Sequence, residues 1–337
     1  MNHVTAHPRD VLFADGGLAP QIPVCDHYCG TEDRMVKSLQ LQAELGPVFD
    51  VTFDCEDGAP VGAEKEHVRL VVDLLLSSEN RFGRVGARVH PIDHPAFADD
   101  VEVLVSRAGT RLPYLMVPKP RDLAEAKRAI SAIDATATRH KLPQGPAVHF
   151  LIETHGALRD VFAIAALPRV QSLSFGLMDF VSAHRGAIPL SGMTVKGQFE
   201  HPLVLRAKLE IAAACHAHGK TPSHCVVTEF KHAAALQEAA TKACRQLGYT
   251  RMWSIHPAQI RPIVDAFTPT TAEVDQAIEI LAAAQAADWA PIRHHDTLHD
   301  RASFRYFWQL LERAHRTSYT GGPQLPAEVR AAYFQEN

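Results

Sequence analysis

The sequence has 337 residues, of which 46% are hydrophobic and 21% charged, and its 34 basic and 38 acidic residues give a formal charge of −4. This length fits two domains of ordinary size or one large α/β barrel. The charge balance, without a run of Lys or Arg, argues against nucleic-acid binding. Six cysteines without a CxxC pattern, an N-terminus without an apolar export core and the lack of a long apolar stretch indicate a cytoplasmic protein outside the membrane.

Eight short apolar segments alternate with amphipathic segments along the chain, and Gly, Pro, Asp or Ser marks nearly every junction. The predicted strands are residues 21–29, 49–54, 84–89, 114–117, 147–152, 172–175, 223–228 and 251–255. The predicted helices are residues 31–45, 63–77, 97–107, 122–140, 157–167, 203–218, 231–247 and 262–267. Strict β-then-α alternation predicts a parallel sheet, because parallel neighbours need a crossover connection. Eight such units predict an α/β fold of the (β/α)₈ TIM barrel type, and an open doubly wound sheet is the alternative.

A further segment follows the eighth unit. Residues 272–285 predict an amphipathic helix with Val274, Ala277, Ile278 and Leu281 on its apolar face. We therefore divide the chain into a barrel domain with a short N-terminal lead-in, residues 1–267, and a C-terminal helical extension, residues 268–337. The extension is expected to pack on the barrel or on a neighbouring subunit.

Charged side chains follow most of the predicted strands. In parallel barrels the catalytic groups stand at the carboxyl ends of the strands and in the loops after them, so these residues are expected to meet at one mouth. They are Asp54, Glu56, Asp57, Arg88, His90, Lys119, Glu153, Asp179 and His256. Each alone is weak evidence, because a charged residue that leaves a strand usually enters solvent; their convergence predicts a functional site.

Two of these acids point to a metal. Glu153 and Asp179 follow adjacent predicted strands, and two carboxylates with room for water and substrate oxygens suit Mg²⁺, with Mn²⁺ as the alternative ion. Arg88 is suited to bidentate binding of a substrate carboxylate. Its other interpretation is an ion pair with the acids at residues 54–57.

The first predicted strand carries Cys25, His27 and Cys29, which alternate onto one face. Residues spaced along one strand rarely chelate a single ion, so a structural or local role is favoured over zinc. His256, before Pro257, is expected to organise the turn by hydrogen bonding, and His294, His295 and Asp296 form the tightest histidine cluster.

Five segments in order carry a resemblance to a known family. FDCEDGAPVGAEKEHVR at residues 53–69 resembles the "DLEDAV…K…AR" segment of the HpcH/HpaI aldolase and citrate lyase β-subunit (CitE-like) family. GARVH, VPKP, FLIET with LSFGLMDF, and WSIHPAQIRPIVDAFTPTTAEVDQA resemble its later motifs, so the similarity spans about residues 21–285. The family includes malyl-CoA and citramalyl-CoA lyases.

The resemblance implies a Mg²⁺-dependent carbon–carbon lyase on a TIM barrel, which cleaves 3-hydroxy-acyl thioesters such as malyl-, citramalyl- or citryl-CoA to a 2-oxo acid and an acyl thioester. By the matching motifs, Glu153 and Asp179 are the metal ligands and Arg88 is the substrate-binding arginine. Glu56 and Asp57 are the acidic pair beside the metal, and Lys119 and Gly176 are assigned to substrate binding. The resemblance also implies a CoA or carrier-protein thioester as substrate and a homotrimer or hexamer.

The first strand departs from the family pattern. Family members have "RSxLFVPG" there, which helps to hold CoA, whereas this chain has IPVCDHYCG at residues 22–30. This departure keeps open a class II aldolase acting on a free 2-oxo or hydroxy acid, or a thioester hydrolase on the same metal site. A third alternative, a barrel that serves as a non-catalytic subunit or binding partner, is disfavoured because two adjacent carboxylates repel each other without a metal.

Overall fold

The computed structural model describes residues 7–14, 21–229 and 232–334. The strands are β1 Cys25–Cys29, β2 Phe49–Asp54, β3 Val85–Arg88, β4 Tyr114–Val117, β5 Ala147–Ile152, β6 Val170–Phe175, β7 Thr221–His224, β8 Arg251–Ser254, β9 Ile292–His294 and β10 Thr297–His299. The helices are α1 Pro8–Leu12, α2 Glu32–Leu45, α3 Glu64–Leu76, α4 Phe97–Ala108, α5 Leu123–Arg139, α6 His155–Arg159, α7 Val161–Ala165, α8 Leu177–Ser182, α9 Pro202–Ala217, α10 Ala233–Gln246, α11 Ile260–Phe267, α12 Thr271–Ala286, α13 Arg301–Arg316 and α14 Ala327–Tyr333.

Within the described residues, β1 to β8 are all parallel and close into a barrel in sequence order, because β1 pairs with both β2 and β8. Helices connect successive strands, so the predicted (β/α)₈ TIM barrel with a C-terminal helical extension is confirmed. Parallel closure directs the carboxyl end of every strand to the same mouth, which is the end where the predicted site residues lie.

Several predicted elements differ from the structure in their bounds. The seventh strand is Thr221–His224, not residues 223–228, since Pro222 is tolerated inside it. Proline has no backbone N–H, so Pro222 donates no hydrogen bond to a neighbouring strand. Its carbonyl still accepts from the Thr250 backbone N–H at 3.3 Å. The fifth predicted helix, residues 157–167, is divided into α6 and α7 at Asp160, whose side chain accepts from the Leu123 backbone N–H at 3.0 Å.

The first strand is shorter than predicted and begins at Cys25, after Pro23. Helix α10 begins at Ala233, and Lys231, the predicted start of this helix, lies outside the described residues. The N-cap prediction at Asp122 is confirmed, because its side chain accepts from the Glu125 backbone N–H at 2.9 Å.

The chain separates into two compact units, residues 19–264 and residues 1–18 with 265–337. In the second unit, α1, α12, α13 and α14 enclose an apolar cluster that includes Leu12, Leu281, Phe304, Trp308 and Val329. Helices α12 and α13 each begin with a capping box, at Thr270 with Glu273 and at Asp300 with Ser303. The predicted boundary between residues 267 and 268 stays a prediction.

None of the helices in the part of the chain that the structure describes combines the length and the apolar character needed to cross a bilayer.

Candidate active site

The structure brings the predicted site residues together at the carboxyl-terminal mouth of the barrel. They come from the ends of five consecutive strands, β2 to β6, and from the loops directly after them. The cluster consists of Asp54, Glu56, Asp57, Arg88, Lys119, Glu153, Gly176 and Asp179. Sequence reasoning named all of them, although it gave Asp54 no role of its own.

Arg88 ends β3 and is held by Asp54, the residue opposite it at the end of β2. Its Nε donates to Asp54 Oδ1 at 2.7 Å, and its Nη2 donates to Asp54 Oδ2. Nη1 also lies 2.9 Å from Glu56 Oε2. The ion pair with the acids at residues 54–57 is thus present, and it fixes the plane of the guanidinium of a residue that is 9% exposed. A guanidinium has five N–H donors, so donors remain for a substrate carboxylate.

Asp54 in turn organises the loop that carries the acidic pair. Its two carboxylate oxygens accept from the backbone N–H groups of Glu56, at 2.9 Å, and Gly58, at 2.8 Å. A Cβ on Gly58 would lie 2.3 Å from Asp54 Oδ2, so this turn requires glycine. The Asp54 side chain therefore positions both Arg88 and Glu56.

Lys119 connects the two sides of the mouth. Its φ of 52° lies in the left-handed region, which is uncommon and strained for a residue other than glycine. In this conformation its backbone N–H donates to Glu153 Oε1 at 2.9 Å, while Nζ donates to Glu56 Oε1 at 2.5 Å and to Asp57 Oδ2 at 2.8 Å. Nζ also lies 4.0 Å from Asp179 Oδ1. Partial burial favours the neutral amine, but the two acids hold the pKa of Lys119 above its usual value.

Glu153 is a buried carboxylate, 2% exposed, directly after β5. Burial, and next the charge of Asp179, raise the pKa of Glu153 well above its usual value; Arg88 and Lys119 offset this only in part. Asp179 lies in the first turn of α8, and its side chain is 48% exposed. One carboxylate is thus buried and the other faces solvent at the same place.

The described cluster has five carboxylates against two cations, because Asp54, Glu56, Asp57, Glu153 and Asp179 face only Arg88 and Lys119. A divalent cation would offset this excess negative charge and the cost of ionising Glu153. The donors are carboxylate oxygens, which Mg²⁺ prefers. Glu153 and Asp179 therefore fit a magnesium ion, with the other side chains around it.

Gly176 lies against Glu153 and not at an open edge of the site. A Cβ at this position would lie 2.2 Å from Glu153 Oε2. Its φ is −93°, so glycine is required here by the close approach and not by backbone conformation. Because Gly176 has no side chain, the Glu153 carboxylate can occupy this space.

An aromatic floor below the charged cluster was missed by sequence reasoning. Tyr28 of β1 stacks on Trp253 of β8 with ring centroids 4.2 Å apart, and the two rings form a buried cluster with Met116 and Leu151. The Arg88 Cζ lies 5.6 Å above the Tyr28 ring. Strand alternation was the available signal, because it places Tyr28 on the face of β1 opposite Cys25, His27 and Cys29.

The other residues singled out in the sequence have local partners. His27 Nδ1 lies 3.0 Å from Ser254 Oγ, and the Cys29 thiol lies 3.6 Å from Ser38 Oγ; both side chains are buried. His256 Nδ1 accepts from the Ala258 backbone N–H at 3.2 Å, which is the turn-organising contact expected of it. His90 is held by Asp100 at 2.6 Å.

The chain is similar to a known family and to known proteins. The HpcH/HpaI aldolase/citrate lyase family matches residues 46–257. An L-malyl-CoA/β-methylmalyl-CoA lyase from Cereibacter sphaeroides is 28% identical over 291 residues, which cover 80% of this chain and 88% of that protein. These findings confirm the predicted family and a lyase of the citrate lyase β-subunit kind.

Two solved structures share the fold. A citrate lyase from Burkholderia xenovorans LB400 is 52% identical, with 97% of this chain and 99% of that chain covered and a TM-score of 0.83. CitE from Mycobacterium tuberculosis in complex with magnesium, acetoacetate and coenzyme A is 21% identical, with 87% and 98% covered and a TM-score of 0.66. The second likeness shows the fold alone. With the family match over residues 46–257, these comparisons establish that the chain belongs to the HpcH/HpaI aldolase/citrate lyase family.

Proposed function

We propose that this protein is a Mg²⁺-dependent carbon–carbon lyase that acts on a 3-hydroxy-acyl thioester such as malyl-, citramalyl- or citryl-CoA. The products are a 2-oxo acid and an acyl thioester. The observation that carries the proposal is the excess of carboxylates around Arg88 and Lys119, with Glu153 buried beside Asp179. The thioester in the name of the Cereibacter enzyme supports the same substrate class.

Glu153 and Asp179 would hold the metal, which when bound supplies Lewis acidity toward the oxygens of the substrate. Mn²⁺ could take the place of Mg²⁺ in this set of oxygen donors. Gly176 keeps the space next to Glu153 open, and the Lys119 backbone N–H holds the Glu153 carboxylate in place. These contacts orient the Glu153 carboxylate before the substrate binds.

Arg88 would bind the carboxylate that becomes part of the 2-oxo acid. Asp54 and Glu56 fix the guanidinium, and the apolar floor of Tyr28 and Trp253 lies below it. A fixed guanidinium can donate two parallel hydrogen bonds to a carboxylate, which a lysine ammonium cannot do. Arg88 would thereby set the orientation of the substrate carbon chain.

The acidic pair would accept the proton of the substrate hydroxyl as the carbon–carbon bond breaks. The bonding electron pair would pass to the acyl-thioester fragment as an enolate, and a proton delivered to the enolate carbon would complete the acyl thioester. Partial burial alone would raise the pKa of Asp57, but the hydrogen bond and charge of Lys119 hold it below its usual value. Asp57 is therefore ionised at neutral pH. Glu56 shares the same lysine, because Lys119 Nζ lies 2.5 Å from Glu56 Oε1 and 2.8 Å from Asp57 Oδ2. When either acid accepts a proton, the ammonium group can shift its hydrogen bonds toward the acid that stays ionised.

A second candidate is an aldolase on a free 2-oxo or hydroxy acid, or a thioester hydrolase, at the same site. It is favoured by the first strand, where IPVCDHYCG replaces the family pattern and presents Tyr28 beneath Arg88. A homotrimer or hexamer and a cytoplasmic location also stay predictions.

The test is product analysis by mass spectrometry. The protein is stripped with chelator, resupplied with Mg²⁺, and given malyl-, citramalyl- and citryl-CoA and the corresponding free acids. The proposal predicts metal-dependent release of a 2-oxo acid and an acyl-CoA from a thioester, and loss of this activity in Asp179→Asn. Cleavage of free acids alone, or release of free CoA without a 2-oxo acid, would instead establish the second candidate.

A further inference from the structure

The unit formed by residues 1–18 and 265–337 carries a histidine cluster that the proposed lyase reaction does not use. Helix α12 presents Glu279, and the β9–β10 hairpin presents His294 and His295. We propose that these three side chains form a binding site for a divalent transition cation of the Zn²⁺ type. The site contains the two histidines of the His294, His295 and Asp296 cluster, and the fold adds a carboxylate from another element.

The three ligand atoms converge. His294 Nε2 lies 3.2 Å from Glu279 Oε2, and His295 Nε2 lies 3.7 Å from the same oxygen. One ligand atom from each residue lies within 4.8 Å of the other two. Two imidazole rings from consecutive residues therefore direct a nitrogen to one carboxylate oxygen.

These separations match metal ligands. Bonds of about 2.0–2.1 Å at tetrahedral angles place two ligand atoms about 3.3 Å apart. The two nitrogen–oxygen distances, 3.2 and 3.7 Å, lie close to that value, so small side-chain movements would complete the geometry. Two imidazoles and one carboxylate are a set that Zn²⁺ takes, and it differs from the carboxylate oxygens at the barrel mouth, which suit Mg²⁺.

The turn that presents the histidines is specialised. His295 and Asp296 have φ values of 45° and 61°, as a two-residue type I′ hairpin turn between β9 and β10 requires. Such turns favour Asn-Gly, and histidine at the first position adopts a left-handed conformation at some cost. Asp296 pairs with Arg293, so it stands outside the proposed ligand set.

The site has one anchored and two accessible ligands. The His294 side chain is 20% exposed, whereas those of Glu279 and His295 are 58% and 81% exposed. An ion bound there would keep a position open to water, and it would join the hairpin to α12. Bound metal would therefore stabilise this unit.

The experiment measures Zn²⁺ affinity at neutral pH by competition with a chromophoric chelator, on full-length protein without a histidine tag. All proteins carry Asp179→Asn, which removes a carboxylate at the barrel mouth that could bind the same ion. The comparison includes the parent, His295→Gln, Glu279→Gln and, as a matched control, His218→Gln at an exposed histidine after α9. Thermal unfolding of each protein is followed with and without Zn²⁺.

The proposal predicts that His295→Gln and Glu279→Gln each weaken Zn²⁺ binding by at least about tenfold and that His218→Gln does not. Zn²⁺ should raise the Tm of the parent and of His218→Gln more than that of His295→Gln. His295 is mostly exposed, so its variant is expected to fold. Absence of Zn²⁺ binding to the parent, or equal affinities for all four proteins, would overturn the site whatever the lyase assays show.

Discussion

The barrel contains two acid-rich clusters around a buried arginine, one in its interior and one at its mouth. In the interior, Arg251 pairs with Asp26 at 2.9 Å and with Asp50 at 2.6 Å, and all three residues are at most 1% exposed. At the mouth, Arg88 pairs with Asp54 and Glu56 in the same manner. In both clusters one guanidinium group thus pairs with two carboxylates.

The clusters differ in how their charges balance. The interior pairs two carboxylates with one guanidinium, and Asp26 also accepts from the Thr52 hydroxyl at 2.8 Å. The mouth adds Asp57, Glu153 and Asp179 for the single additional cation of Lys119. We conclude that the interior cluster joins β1, β2 and β8, whereas the mouth is arranged to receive further positive charge. Removing a charged group at the mouth should therefore lower activity without lowering the free energy of unfolding, whereas removing one in the interior should lower the free energy of unfolding and change activity little.

The largest effect is expected for Glu153→Gln at the mouth. Loss of the proposed metal ligand should lower kcat/KM by about 10³-fold or more, since Lewis acid catalysis is worth several kcal/mol. The free energy of unfolding should stay equal or rise, because the raised pKa of Glu153 means that its charge is costly in the folded protein. Glu44→Gln, at an exposed acid of α2, is the control for both measurements. Retained activity would remove Glu153 from the metal site.

The opposite pattern is expected for Arg251→Met in the interior. Two buried carboxylates would lose their cation, which should lower the free energy of unfolding by about 3–5 kcal/mol in urea titrations. The kcat of the remaining folded protein should change little. Arg261→Met removes the exposed pair with Glu44 and should cost at most about 1 kcal/mol. Equal costs for the two variants would contradict the structural role of the interior cluster.

Arg88→Lys keeps the charge at the mouth and removes the planar fork. A lysine cannot form both hydrogen bonds to Asp54 and still bind a substrate carboxylate, so kcat/KM should fall by about 10²-fold. Steady-state kinetics with a CoA thioester and with its 2-oxo acid product as inhibitor would separate binding from turnover. Unchanged inhibition by the 2-oxo acid would show that Arg88 does not bind its carboxylate.

Gly176→Ala tests the close approach to Glu153. The added Cβ would displace the Glu153 carboxylate and should lower kcat/KM by about tenfold. Losses of this size are typical when a residue that supports a metal ligand is changed. The double variant with Glu153→Gln should have nearly the same kcat/KM as Glu153→Gln alone. Fully additive losses would mean that Gly176 acts through something other than Glu153.

The smallest expected effect is a pH dependence of the free energy of unfolding that arises from Asp50 in the interior cluster. Burial raises the pKa of Asp50 from 3.8 to about 6, against the opposing charge of Arg251 and with a further contribution from Asp26. Between these two values the folded protein binds more protons than the unfolded chain, so this group makes stability fall as pH rises, by up to about 1.4 kcal/mol per pH unit. Urea titrations at several pH values should show a smaller slope of this sign in Asp50→Asn. An identical slope in both proteins would show that Asp50 titrates normally.

The barrel and most of the mouth could be predicted because they follow from local pattern. The strands β2, β3 and β5 are short, and each has a charged residue at its carboxyl end or directly after it. Parallel closure then places those ends together. Asp54, Arg88 and Glu153 were therefore located before their contacts were known. The pairing of Asp54 with Arg88 was one of two interpretations, and the structure allows both, because the pairing leaves guanidinium donors for a ligand.

Other features depend on tertiary context. The positive φ of Lys119 is stabilised by Glu56 and Glu153, which follow β2 and β5 and lie far away in sequence. Pro222 inside β7 and the division of α6 from α7 at Asp160 depend on neighbouring strands and helices. The convergence of Glu279 with His294 and His295 required the hairpin to pack on α12.

The most direct test of the charge comparison is a calorimetric titration of chelator-stripped protein with Mg²⁺. The account predicts one ion bound per chain in the wild type, no detectable binding in Glu153→Gln, and unchanged binding in the interior variant Asp50→Asn. Absence of Mg²⁺ binding in the wild type, or equal binding in wild type and Glu153→Gln, would contradict the conclusion that the mouth is arranged for a divalent cation.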